Sequence, residues 1–164
     1  MACSLITKET VKLALEHITN FGDTDLFPPA TEIDFFLKNQ KDCVNTLKKI
    51  DQSILDNSYV SWALPSREVF FSFGQKPRVA TQLPFLLTLY TTIHAFFLKD
   101  KIELIRLQKF DNCVFSYRSK LRKKNQMFSN NYGWNAFLDQ QKKFYKDYQW
   151  VVSLDIAQFY SSIR

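Results

Sequence analysis

A chain of 164 residues that is 46% hydrophobic and has only three glycines can bury a sizeable core and is a poor candidate for a flexible linker or a disordered tract. Twenty-two lysines and arginines against 16 aspartates and glutamates leave a net charge of +6, which suits contact with phosphate. Cys3, Cys43 and Cys113 are odd in number and far apart, so they supply neither a disulfide framework nor a zinc spacing, and a reducing cytosol is the expected home. Lys8, Glu9 and Lys12 interrupt the N-terminal apolar residues, which excludes a signal-peptide core. Sixteen phenylalanines, seven tyrosines and three tryptophans promise large buried area per residue, with some rings left on covered surfaces.

In chain order, a first helix is expected from about Lys8 to Thr19, with Thr7 as N-cap and Val11, Ala14, Leu15 and Ile18 on one face. Phe21-Gly22 ends it. Asp23-Thr24-Asp25 runs into Leu-Phe-Pro-Pro and reads as a turn, not a metal site. A second helix spans about Glu32 to Leu55, carrying Ile33, Phe36, Leu37, Val44, Leu47, Ile50 and Ile54 at helical spacing. Tyr59 to Phe73 reads as a β-hairpin with its break near Pro65-Ser66. Gly74 to Pro77 leads into a helix from about Leu83 to Leu98, and Lys99-Asp100 interrupts rather than ends its apolar pattern. This greasiest stretch is shorter than the ~20 residues of a membrane span and contains Pro84 and His94, so no membrane partner is expected. A short strand follows around Val114 to Tyr117, then a polar loop from Lys123 to Gly133. An amphipathic helix carrying Trp134, Phe137, Leu138, Phe144 and Tyr145 returns the chain to a final strand. His17 and His94 have no companion at metal-ligand spacing.

Two features carry chemistry. Trp150, Val151, Val152 and Leu154 form an apolar run broken only by Ser153, the pattern of a strand buried on both faces, and Asp155 follows at once. A carboxylate at such a place is either a turn former or a ligand for a divalent cation. Upstream, Arg118, Lys120, Arg122, Lys123 and Lys124 put five cations into seven positions, and Lys142, Lys143 and Lys146 follow. Such a run is either a solvated face or a track for a nucleic-acid backbone, with Tyr117, Phe128, Tyr132 and Trp134 available to stack on bases. No Ser-His-Asp set, nucleophile elbow or glycine-rich phosphate loop is present in the sequence.

The segment from Val151 to Ile163, VVSLDIAQFYSSI, resembles the first catalytic motif in the palm of reverse transcriptases: an apolar strand, Asp, four residues, an aromatic, then Ser-Ile. The resemblance implies that Asp155 and the backbone carbonyl of Ile156 hold catalytic Mg2+ in a two-metal site. It also implies that Tyr160 is the steric gate under the sugar of the incoming deoxynucleoside triphosphate. Lys76-Pro77-Arg78-Val79-Ala80-Thr81-Gln82-Leu83, after Val69 to Gly74, is similar to the fingers hairpin of the same enzymes, which would make Arg78, with Lys76, the triphosphate grip. Val114 to Ser119 is similar to the small-aromatic-Arg signature between fingers and palm. Phe21 to Pro29 looks like the start of a defence-associated, abortive-infection-like bacterial group.

The fold expected on this basis is α+β: a mostly helical N-terminal part, a fingers β-hairpin and the first strand of a palm sheet, an incomplete right-hand polymerase. Its expected divisions are an N-terminal extension over residues 1–57, a fingers region over 58–148 and the start of the palm over 149–164. The second catalytic motif, an aspartate pair after an aromatic, is not in the sequence, so the chain is expected to be the N-terminal part of a longer protein and inactive alone. The expected partners are RNA or DNA and deoxynucleoside triphosphates, with a homo-oligomer or a partner protein as the other way of completing the site. An alternative of a different class is a non-catalytic basic module that binds RNA or protein.

Overall fold

The computed structural model describes residues 5–22, 30–56, 58, 66–70, 78–106, 114–116, 118–120, 126–129, 131–150 and 152, with only the backbone of 66–70 and 78–82. The described elements are helices α1 (Lys8–Phe21), α2 (Ile33–Lys38) and α3 (Gln40–Leu55), strands β1 (Ser66–Phe70) and β2 (Arg78–Gln82), then α4 (Phe85–Ile105) and α5 (Trp134–Asp147). They belong to two compact units, one of Met1–Ile105 with Ser119–Met127, the other of Arg106–Arg118 with Phe128–Arg164.

Helix α1 begins where the sequence requires. The Thr7 hydroxyl accepts the Thr10 N–H at 3.2 Å and the Thr7 N–H donates to the Thr10 hydroxyl at 2.9 Å, a reciprocal cap with threonine in the place usually taken by Glu or Gln. At the other end Gly22, with φ 77, lets its N–H reach the Ile18 carbonyl at 2.8 Å, in a backbone region that costs an L side chain. Val11, Ala14, Leu15 and Ile18 are buried, as their spacing predicts.

The single helix expected over Glu32 to Leu55 is two. Asn39 sits at φ −114, ψ 44, and both its backbone N–H and its side-chain amide donate to the Phe35 carbonyl, at 3.0 and 2.8 Å. The non-helical dihedral angles of Asn39 end α2 and begin α3. Ile33 then joins the core from α2, and Cys43, Leu47 and Ile50 join it from α3.

Helix α4 runs through Lys99 and Asp100 to Ile105. Its Phe85, Leu89 and Ile93, four residues apart, complete the buried cluster, and Phe36 of α2 stacks on Phe85 at 5.5 Å between ring centres. The Tyr90 hydroxyl donates to the Asp51 carboxylate at 2.8 Å, tying α4 to α3, and burial together with this bond pushes the phenol up to about 12. Burial likewise raises the Cys43 thiol to about 11, so at neutral pH it is an inert core group. No helix among the described residues is long and apolar enough to cross a membrane.

The α+β expectation is corrected here. Helix dominates the described residues, and they contain no palm sheet. Their strand structure is one antiparallel ladder, in which Ser66 faces Gln82 and Phe70 faces Arg78. Of the hairpin expected over Tyr59 to Phe73, Ser66–Phe70 is strand and pairs forward with Arg78–Gln82, and the rest of that span lies outside the described residues. Val114 to Ser116 form no strand, and Trp150 and Val152, expected in a strand buried on both faces, are exposed and in no regular element. The helical cluster dominates because aliphatic residues at spacing four bury one another, while the apolar residues near Trp150 have no described layer against them.

His17 packs between Phe21, at 4.9 Å, and the edge of Phe96, at 5.3 Å, and burial holds its pKa below the ordinary 6.5. The folded state therefore favours the neutral ring, whereas the unfolded chain takes up a proton as the pH falls through 6.5. Stability contributed by the neutral ring is whole above that pH and is lost below it, down to the folded pKa. Thermal melts between pH 7.5 and 5 should show this decline, and His17→Gln should flatten it.

Candidate functional site

In the first unit, the second half of α4 grips a stretch of backbone. Lys99, only 5% exposed, donates from Nζ to the Lys120 carbonyl at 2.8 Å and to the Asp100 carboxylate at 3.1 Å. One turn on, the buried Glu103 accepts the Ser119 N–H at 3.0 Å, and the Lys120 N–H donates to the Met127 carbonyl at 3.1 Å. Buried charged groups persist when they are hydrogen-bonded. The sequence signal was a Lys and a Glu four apart within an apolar helix, which composition alone reads as an interruption. Glu103→Ala leaves the Ser119 N–H without this acceptor and should cost about 1–3 kcal/mol in a denaturant titration.

The second unit holds an aromatic cavity. The Arg118 guanidinium lies 4.3 Å from the centre of the Tyr132 ring and donates to the Val114 carbonyl at 3.3 Å. The Ser129 N–H donates to the Arg118 carbonyl at 2.8 Å, and Arg106 donates to the Ser116 carbonyl at 3.3 Å. Phe115, Ser116, Arg118, Phe128, Ser129, Tyr132 and Gly133 line an open concavity of about 290 Å³. Gly133 has φ 128 and caps α5, a conformation that strains any L side chain, and its carbonyl accepts the Phe137 N–H at 3.0 Å. Phe137 backs the wall, its ring 6.0 Å from that of Phe115.

Of the residues singled out in the sequence, Arg118 is thus buried among rings. Lys120 is half-buried, with its carbonyl engaged by Lys99. Arg122, Lys123 and Lys124 lie outside the described residues. Arg78 opens β2 opposite Phe70, where only the backbone is described, and Lys76 lies outside. Asp155, Ile156 and Tyr160 also lie outside the described residues. Among the described residues no group of His, Cys, Asp or Glu could hold a metal ion.

A second concavity, about 580 Å³, was not anticipated. In the first unit Lys8, Lys38 and Lys41 surround Leu37 and Val44, and none of the three lysines has a carboxylate at ion-pair distance among the described residues. No family model matches this chain, and neither the curated proteins nor the solved structures contain a significant match.

Proposed function

We propose that this chain supplies the N-terminal part of an RNA-directed DNA polymerase, adding deoxynucleotides by two-metal phosphoryl transfer in prokaryotic antiviral defence. The observation that carries the reading is the Val151 to Ile163 segment, in which an apolar run, Asp155, Tyr160 and Ser-Ile stand in the order of the first catalytic motif of reverse transcriptases. Support comes from the order of the other signals, with Lys76 and Arg78 upstream and the basic run between, and from the net charge of +6.

On this reading the Asp155 carboxylate and the Ile156 carbonyl hold magnesium, and both are the hard oxygen donors that this ion takes. A metal held there would supply neutralisation of the charge on the transferring phosphoryl group. Arg78 and Lys76 bind the triphosphate, the planar fork of the arginine giving two aligned donors. Tyr160 excludes a 2′-hydroxyl by overlap. The cations Lys120, Arg122, Lys123 and Lys124 follow the strand, beside an Arg118 that is buried against the Tyr132 ring. Primer extension by the protein containing this chain and its downstream sequence tests the reading, since Asp155→Asn should abolish synthesis without unfolding the protein.

The second reading, a non-catalytic module, draws on the basic run from Arg118 to Lys124, since such a run can hold a strand without any reaction. RNA binding that falls steeply with salt, together with biological activity unaffected by Asp155→Asn, would favour it.

A further inference from the structure

We propose that the cavity around Arg118 and Tyr132 is a receptor for one nucleobase. Its volume of about 290 Å³ lies at the lower end of the ~300–1,000 Å³ typical of small-ligand sites, so it suits a single heterocycle rather than a stacked run. Three of its walls are rings, and a base offers each of them a π face whatever its identity. An aliphatic ligand would not call for the rest of the lining. Ser116 and Ser129 are among its lining residues, and a serine hydroxyl donates and accepts as the edge of a base requires, while the Arg118 guanidinium brings positive charge beside the Tyr132 ring for an attached phosphate.

The cavity is also prepared in advance. Arg118 is 8% exposed and is held by the Val114 carbonyl and the Tyr132 face, while the Ser129 N–H fixes its backbone. A side chain already ordered loses little freedom when a ligand arrives. Gly133 completes the lining at φ 128, a conformation that favours glycine.

For its biological setting the inference rests on the nucleic-acid reading above, but its test needs neither catalysis nor metal. Fluorescence anisotropy of the 164-residue chain in EDTA compares a labelled single strand of about 16 nucleotides with an abasic strand of equal length and charge. The base-bearing strand should bind about tenfold more tightly, as expected for one stacked base. Tyr132→Leu, and separately Phe128→Leu at a ring that is already 37% exposed, should reduce the ratio towards one and leave abasic binding unchanged. Two variants guard against one that fails to fold, which circular dichroism would reveal. Competition by nucleoside monophosphates would identify a free nucleotide as the ligand, and base-dependent binding without such competition would identify a base within a strand. Equal binding of the two strands by the unmodified chain, or a ratio untouched by both substitutions, would overturn the proposal. Loss of synthesis in Asp155 variants has no bearing on either outcome, so the cavity and the polymerase reading fail separately.

Discussion

Asp155→Asn should lower deoxynucleotide incorporation by roughly a thousandfold or more, because metal-assisted phosphoryl transfer draws several kcal/mol of charge stabilisation from its ions and each ~1.4 kcal/mol is a factor of ten. The substitution keeps the size and one oxygen of the side chain and removes the negative charge, which is the property magnesium selects. Steady-state incorporation should therefore collapse while far-ultraviolet circular dichroism and the melting temperature stay within the error of the unmodified protein. Partial recovery with manganese would point to weakened metal binding as the cause. Undiminished synthesis would end the assignment of Asp155 as a metal ligand. A protein that unfolds instead would mark the carboxylate as a structural cap, the competing role that an aspartate after an apolar run fills.

Helix α1 was legible because its signals are local: Thr7 and Gly22 satisfy the terminal backbone groups, and both are visible without any tertiary context. The break at Asn39 was not, since the apolar period continues across it and only the dihedral angles of one residue mark it. The ladder illustrates a second limit. The run from Ser66 to Phe70 reads as strand, yet its partner is chosen by pairing, and Arg78–Gln82 lies beyond the turn signal that Pro65-Ser66 suggested. Lys99 and Glu103 were opaque for the same reason, because a charged residue in an apolar helix looks like an interruption until the backbone it holds is known. The rings of Phe128 and Tyr132 were readable as stacking candidates beside the basic run. That Arg118 lies buried against Tyr132, and that Phe115 joins them, required the fold. The motif at Asp155 stands apart from all of these, because it is legible only as a resemblance.

Leu89→Ala should be a severe truncation in the first unit, costing about 2–5 kcal/mol, a large share of the ~5–15 kcal/mol that stabilises a typical domain. Leu89 is fully buried between Phe85 and Ile93, in the cluster that α4 shares with Val11, Leu15 and Ile18 of α1 and Leu47 of α3. Removing its isobutyl end strips apolar area from the core and leaves a hole that the two flanking residues, fixed on the same helix, can only partly close. Leu104 lies on the same helix with the same side chain but is 73% exposed, and Leu104→Ala should change stability by less than about 0.5 kcal/mol. Both substitutions alter helix propensity alike, so the difference between them isolates burial from propensity. Urea titrations of the two variants measure it, with equal slopes required for the comparison. If the two cost the same, α4 does not dock on α1 through Leu89, and the helical core would have to be redrawn.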